Sequence, residues 1–279
     1  MPLAIVTGAN TGLGFETARG LLGLGYQVVI TSRDLGRGVS AVSKLKTEYP
    51  QAQVSALPLD LAYAESIDSF SKSFVAGFGK WDVLILNAGA KVLAKYQQID
   101  SGIEYHFGVN AVGHFSLTAG LFAHRAQVSR VVSVSSIVAR FAPRTLGPSG
   151  SSSSYSAGAS YSASKLSNYL FAIELQERFG SELFSSLAAH PGFARAEPYG
   201  PKSTRFFESF MAQSAAKGAL PIIEAATDAS LSGGSYRVPR ILELWGTPAE
   251  GIVPKITSVE TLKENWEILE ALSGKTLAL

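Results

Sequence analysis

Leu3-Ala-Ile-Val-Thr-Gly-Ala-Asn-Thr-Gly-Leu-Gly14 begins with a short apolar run and passes at once into a glycine-dense turn. Leu3 to Val6 reads as a buried strand. Around Gly14 the apolar spacing changes, and Leu13, Ala18, Leu21 and Leu22 fall on one helical face. Strand, tight turn and helix N-terminus together make a site for an anionic group, because unpaired N–H groups and the positive end of the helix dipole point at whatever sits there. Gly8 serves the turn, Gly12 a close backbone approach, and Gly14 the packing of helix on strand. A bare G-x-x-x-G-x-G string also occurs in ordinary surface turns. Directly behind a buried strand it points to a dinucleotide.

The bulk properties narrow the field. Of 279 residues, 46% are hydrophobic and 16% charged, enough for a buried core and far from the composition of a disordered chain. A net charge of +2, with no long run of like charges, gives no electrostatic case for nucleic acid or an anionic membrane. The absence of cysteine removes disulfides, thiolate metal sites and cysteine nucleophiles. With a first strand at Leu3 there is no room for a targeting peptide, and no apolar run reaches the roughly 20 residues of a membrane span. The expectation is a soluble, cytoplasmic protein.

Strands and helices alternate along the chain. Strands are expected at Tyr26–Thr31, Gln53–Leu59, Trp81–Leu86, Arg130–Val134 and Leu183–Ala188. Helices are expected at Gly36–Tyr49, Ala64–Phe78, about Gly102–His124, Ala163–Phe179 and near Glu260–Leu272. This alternation implies an α/β fold: a doubly wound, Rossmann-type parallel sheet of about seven strands with helices on both faces, in a single domain over 1–279. Ligands of such sheets sit outside the C-terminal strand ends, where strand order reverses. Gly8, Arg33, Asp60, Asn87, Ser136 and His190 all follow strands. Two stretches break the rhythm. The serine- and glycine-rich Gly147–Ser160 reads as a mobile surface loop. Ala196–Ala216, with Phe206, Phe207 and Phe210, is either core or a substrate-binding lid.

Tyr161-Ser-Ala-Ser-Lys165 is the strongest chemical signal after the glycine turn. Positions i and i+4 share a helix face, which sets the Lys165 ammonium beside the Tyr161 ring. A phenol with a pKa of about 10 is a poor acid–base group near neutrality, and a neighbouring cation favours the phenolate. A shift of about three units requires roughly 4 kcal/mol of differential stabilisation. Ser136, at the end of the fifth strand, is placed to donate to a carbonyl oxygen polarised by Tyr161. Histidines 106, 114, 124 and 190 are too scattered for a metal site and read as packing or surface residues. Asp82, Glu104 and Glu174 have no carboxylate partner at a telling spacing.

Taken together, Thr7-Gly-Ala-Asn-Thr-Gly-Leu-Gly14, Asn87-Ala-Gly89, Ser136, Tyr161-x-x-x-Lys165 and His190-Pro-Gly192 resemble the short-chain dehydrogenase/reductase family over nearly the whole chain. Phe107-Gly-Val-Asn-Ala-Val-Gly-His-Phe-Ser-Leu-Thr118 and the long insertion before Tyr161 resemble the branch of retinol dehydrogenases and the WW-domain oxidoreductase. Leu244-Trp-Gly-Thr-Pro248 and the last helix look like the tail of that branch. The resemblance implies Tyr161 as proton donor, Lys165 as its modulator and ribose ligand, and Ser136 as the group orienting the carbonyl. Asn110 would hold a water in a relay to Lys165. Thr7, Gly8, Asn10, Thr11, Gly12, Leu13, Gly14, Asn87, Ala88, Gly89, Pro191 and Gly192 would line the cofactor, with Asp60 and Leu61 at the adenine.

The form of the cofactor follows from charge. An acidic residue at the end of the second strand binds a ribose 2′-hydroxyl and repels a 2′-phosphate. Here Ser32 stands there, followed by Arg33, whose guanidinium suits phosphate. A solvated surface arginine, partly neutralised by Asp34, is the bland alternative, and Arg37 is a weaker second candidate. NADP(H) is the favoured cofactor. Three features depart from the family pattern: Ala196 stands where a threonine is common, Phe193 where a small polar residue is usual, and the helix after Asn110 looks short. The expected activity is NADPH-dependent reduction of a ketone or aldehyde on an apolar small molecule by a monomer or homodimer. The alternative is an NADP-binding protein whose redox activity is lost or repurposed.

Overall fold

A computed structural model describes residues 1–90, 93–194 and 212–278. Its centre is one eight-stranded sheet in the order β3-β2-β1-β4-β5-β6-β7-β8. The strands are β1 (Leu3–Val6), β2 (Gln27–Ser32), β3 (Val54–Pro58), β4 (Trp81–Leu86), β5 (Arg125–Val134), β6 (Phe184–Ala189), β7 (Tyr236–Ile241) and β8 (Trp245–Glu250). All neighbours pair parallel except β7 with β8, which are antiparallel. The doubly wound expectation holds, and the sheet is larger than the expected seven or so strands. Order reverses at β1, whose two neighbours are β2 and β4, so a crevice opens beyond the C-terminal ends of β1 and β4.

The helices are α1 (Gly12–Gly23), α2 (Leu35–Glu48), α3 (Ala64–Phe78), α4 (Tyr105–Phe107), α5 (Gly113–Leu121), α6 (Ala157–Phe179), α7 (Ala215–Thr227) and α8 (Val259–Ser273). They divide between the faces, as parallel strands buried on both sides require. Leu21 and Leu22 of α1, Leu45 of α2 and Ile222 of α7 pack on one face of the sheet with Val28, Ile30, Val83 and Ile85. Phe70 and Phe74 of α3, Phe115 of α5, Phe171 of α6 and Trp266 of α8 form the larger cluster on the other, with Ile5, Leu84 and Leu86. Among the described residues no helix is long and apolar enough to cross a membrane.

Three expected elements are redrawn. The continuous helix over 102–124 is broken: α4 gives way to a wider π-type turn at Gly108–Val112 before α5, and a 3₁₀ turn at Phe122–His124 follows. The strand expected from Arg130 already starts at Arg125. The surface loop expected over Gly147–Ser160 ends early, because Ser156 caps α6 by accepting from Ala159 N, so α6 starts at Ala157 rather than Ala163.

Of the buried side chains that fasten the final helix, Leu262, Asn265, Trp266 and Leu269, the tryptophan is the largest. Trp266 is 1% exposed; its ring lies 5.8 Å from that of Phe171 in a stack and 5.3 Å from Phe115 edge-on, with the Arg178 guanidinium 4.6 Å over it. Trp266→Ala leaves a cavity where α5, α6 and α8 meet. It is expected to cost about 3–5 kcal/mol in urea melts, with Trp266→Phe costing visibly less.

Candidate active site

Thr7 directly follows β1 with its side chain buried, and Gly8 comes next at φ 63°. The chain enters α1 through exposed Thr11, an extended residue whose side chain makes no cap bond, and the first turn of α1 carries no acidic residue. The leading N–H groups of the helix are therefore left to an outside acceptor. Gly12 has φ 59°, and a Cβ built on it meets nothing within 4 Å, so this backbone borders open space. At Gly14 the reverse holds: a Cβ would lie 2.5 Å from Asn87 Nδ2 and 2.6 Å from the Gly8 carbonyl oxygen. An uncapped helix end, an open glycine at its first position and no competing carboxylate fit the phosphates of a dinucleotide. Asn10 and Leu13 stand half-buried beside this turn.

Across the crevice, the Thr7 hydroxyl accepts from Asn87 N and Ala88 N, each at 2.8 Å, while Asn87 Nδ2 donates to the Thr7 carbonyl at 2.7 Å. One threonine thus closes β1 and β4 into a single edge. Gly89 continues from it, exposed; a Cβ there would lie 3.3 Å from Asn110 Oδ1 and 3.7 Å from Lys165 Nζ. Asn110, fully buried in the π-type turn, has both side-chain atoms engaged: Ala90 N donates to Oδ1 at 2.7 Å, and Nδ2 donates to Ser164 Oγ at 2.9 Å. Ser164 Oγ in turn donates to the Tyr161 carbonyl at 2.8 Å.

Lys165 is 4% exposed and donates from Nζ to the Val134 carbonyl at 2.9 Å, 5.9 Å from the centre of the Tyr161 ring. Burial pushes its pKa down from 10.5 to about 8. Tyr161 is half-buried on the same helix face. Ser136, half-buried at the end of β5, is extended at φ −157° and heads the 3₁₀ turn Ile137–Phe141 without using its side chain as a cap. Its neighbour Ser135 donates from Oγ to the Lys165 carbonyl at 2.7 Å, which pins this strand end to α6.

The remaining expected residues lie along the same edge of the sheet. Arg33 is exposed just past β2, with Nη1 donating to Tyr105 Oη at 3.4 Å. The Asp34 carboxylate has a partner of its own: it accepts from Arg37 N at 3.0 Å, capping α2, and faces the Arg37 guanidinium at 3.8 Å. Asp60 and Leu61 follow β3, Asp60 accepting from Ala62 N at 3.0 Å and Leu61 buried. Pro191 and Gly192 follow β6, the Pro191 carbonyl accepting from Gln213 Nε2 at 2.8 Å, and Phe193 is 42% exposed. Ala196, Phe206, Phe207 and Phe210 fall outside the described residues.

Two histidines expected only as packing or surface residues lie next to the site. His114 lies buried between Thr7 and Asn110, and burial pushes its pKa down to about 3. His106 is buried with Nδ1 2.8 Å from Glu104 Oε1, its ring 6.0 Å from that of Tyr161 edge-on and stacked 6.4 Å from Tyr155. Glu104 also accepts from His106 N and Phe107 N at 3.0 Å each, capping α4. The insertion before Tyr161 thus delivers Tyr155 onto the ring of His106, which separates it from Tyr161, with Tyr96 edge-on to Tyr155 at 5.7 Å. The readable signals were a glutamate at a helix start and a histidine four positions after Asn110. Among the described residues no three His, Cys, Asp or Glu side chains converge as a metal site would require.

Residues 2–197 match the family model of the short chain dehydrogenases. The chain belongs to the short chain dehydrogenase family. Retinol dehydrogenase 12 of Homo sapiens is 39% identical over 198 residues, 70% of this chain, and the match spans 62% of that relative's length. The WW domain-containing oxidoreductase of Homo sapiens is 36% identical over 200 residues, 68% of this chain and 48% of its own. A crystal structure of an uncharacterised protein from Mycobacterium paratuberculosis superposes with a TM-score of 0.83 at 31% identity, covering 100% of this chain and 96% of that one. The branch expected from Phe107–Thr118 is therefore the branch found. Members of this short-chain family bind a nicotinamide cofactor, and the turn at Gly8–Gly14 has the openings such a group needs.

The buried lysine has a cost that can be measured. Its folded pKa of about 8 lies below the 10.5 of the unfolded chain, so between these values the unfolded state binds more protons and stability rises with pH. Below about pH 8 the penalty is fully present. Lys165→Met is thus expected to be more stable than the wild type at pH 7, by up to about 3 kcal/mol. The gap should shrink as denaturant melts are repeated from pH 8 towards 10.

Proposed function

We propose that the protein is an NADP(H)-dependent oxidoreductase that transfers a hydride to the ketone or aldehyde carbon of an apolar small molecule, with Tyr161 as proton donor. The observation that carries this reading is the Lys165 ammonium, held out of water 5.9 Å from the Tyr161 ring and bordering Gly89 at the crevice edge. When bound, the reduced nicotinamide supplies the hydride. The Tyr161 hydroxyl gives its proton to the carbonyl oxygen, and the adjacent ammonium stabilises the phenolate that is left. Ser136, whose side chain is not spent on its own turn, donates a hydrogen bond to the same oxygen.

Thr7 to Gly14 hold the pyrophosphate in this reading, Asp60 and Leu61 flank the adenine, and Asn87 to Gly89 with Pro191 and Gly192 flank the nicotinamide half. Tyr161 and Lys165 meet its ribose, and Asn110 supports Lys165. Arg33 takes the 2′-phosphate: Ser32 offers no carboxylate to repel it, and Asp34 is committed to Arg37. The rings of Tyr155 and Tyr96, half-buried and edge-on to each other at 5.7 Å, suit an apolar, unsaturated substrate, and relatives named for retinol point the same way.

The test is loss of NADPH absorbance against a panel of aliphatic, aromatic and polyene aldehydes and ketones. Tyr161→Phe is expected to lower kcat by about a hundredfold or more; undiminished turnover removes the mechanism. Calorimetric binding of NADPH with no turnover on any panel member instead favours a nucleotide-binding protein without redox activity. Arg33→Glu is expected to weaken NADPH relative to NADH by about tenfold or more, read as the ratio of the two dissociation constants.

A further inference from the structure

Thr7, His114 and Asn110 form one buried chain of hydrogen bonds, and the count of donors fixes its direction. The Thr7 hydroxyl has two lone pairs and one proton. Both lone pairs are taken by the N–H groups of Asn87 and Ala88, at 2.8 Å each. It therefore accepts nothing more, and His114 Nε2, 3.1 Å away, must be unprotonated if the two are to attract. The imidazole proton is then on Nδ1, where the Asn110 carbonyl oxygen lies at 2.9 Å and has no proton of its own to give. The threonine proton closes the bridge when it points to His114 Nε2; the Ile85 carbonyl, at 3.2 Å, competes for it, and the Asn110 carbonyl sets the Nδ1 tautomer in either case. Full burial keeps the ring neutral, so the arrangement does not change across the pH range in which a protein works.

We infer that His114 is a positioning residue that registers the glycine turn of β1 against the Asn110 peptide, and through it against Tyr161 and Lys165. One end of the ring contacts the threonine that joins β1 to β4. The other holds a carbonyl inside the π-type turn, whose side chain reaches both Ala90 and Ser164. Ser164 is bonded to the Tyr161 carbonyl, so the bridge runs from the dinucleotide turn to the helix that carries the tyrosine. His114 touches neither the cofactor nor the substrate in this scheme. It acts by fixing the distance between the part of the site that grips the nucleotide and the part that handles the proton. This role rests on the redox reading of the same site.

The two ring nitrogens can be separated by substitution. Asparagine sets an amide nitrogen near the place of Nδ1, and glutamine sets an amide oxygen near that of Nε2, so each keeps one end of the bridge. His114→Asn is expected to weaken NADPH binding, measured by calorimetry on the full chain, by about tenfold with a smaller loss of kcat. His114→Gln is expected to show the reverse, about a tenfold loss of kcat with a smaller loss of binding. Equal losses in both variants, each in step with the fall in melting temperature, would mean that the ring only fills space and overturn the proposal. So would a His114→Phe variant that binds NADPH and turns over within about twofold of the wild type. If the wild type reduces no carbonyl, the redox reading falls, yet the binding arm still decides: asparagine weaker than glutamine supports the bridge, and equality refutes it.

Discussion

A cation that water does not reach governs the ligand-facing edge of this sheet. An ammonium buried among helices is tolerated only when an acceptor stands ready for it. The acceptor is the Val134 carbonyl at the end of β5, which Lys165 shares with Asn168 Nδ2 at 3.2 Å. Because that oxygen serves α6, the strand is held against the helix at this point. Ser135 adds a bond in each direction, its N–H to the Ala189 carbonyl of β6 at 2.8 Å and its hydroxyl to the Lys165 carbonyl. The next residue has little freedom: Ser136 comes out extended, beside Tyr161's helix and on the open side of the sheet. The charge on one side chain thus sets where the next polar group of the site is delivered.

Signals that depend on burial and on short-range geometry were readable from residues alone. The apolar run Val83–Leu86 reads as a strand buried on both faces, and it lies in β4, where all four residues are buried. Tyr161 and Lys165 share a face because four residues is about one helical turn. The glycine pattern was readable because each glycine answers a different steric demand. Gly12 needs a positive φ, and Gly14 needs the absence of a Cβ against Asn87. Asp34 is read with its sequence neighbour Arg33, but a carboxylate at a helix start also turns to the N–H three residues on, and so it meets Arg37.

Signals that depend on a partner distant in sequence were not readable. A single wide turn at Gly108–Val112 shifts helical phase by a fraction of a turn, too little to disturb an apolar pattern that is apolar nearly all round. Its reason lies elsewhere, in Ala90, Ser164 and His114, none of which lies within a turn of Asn110 except the last. Serine and glycine over 147–160 suggested loop throughout, yet Ser156 is the cap of α6 and the residues after it are helical. The pair β7 and β8 escaped notice for two reasons. Pro239 and Pro248 face each other in it, Pro239 beyond the point where β7 still pairs with β6. The turn between them is Leu242-Glu243-Leu244, without the glycine or asparagine that marks a hairpin.

That turn is held against its own preference, which explains how the site's two sides stay in register. Leu242 and Glu243 have φ of 52° and 60°, the left-handed region that side chains avoid at a cost of about 1–2 kcal/mol each. Glu243 is kept there by the Arg140 guanidinium and by Ile252 N, which donates to its carboxylate at 2.8 Å. Arg140 belongs to the 3₁₀ turn that begins at Ser136, and it also donates to the Ile252 carbonyl at 2.8 Å. The hairpin returns the support on the other side, since the Leu244 carbonyl accepts from Phe193 N at 3.0 Å, one residue past Gly192. The strand ends bearing Ser136 and Pro191-Gly192 are therefore tied through one strained turn. A β7–β8 hairpin with relaxed turn residues would fold as well locally, but it would lose the carboxylate that Arg140 needs and with it this tie between the two walls of the crevice.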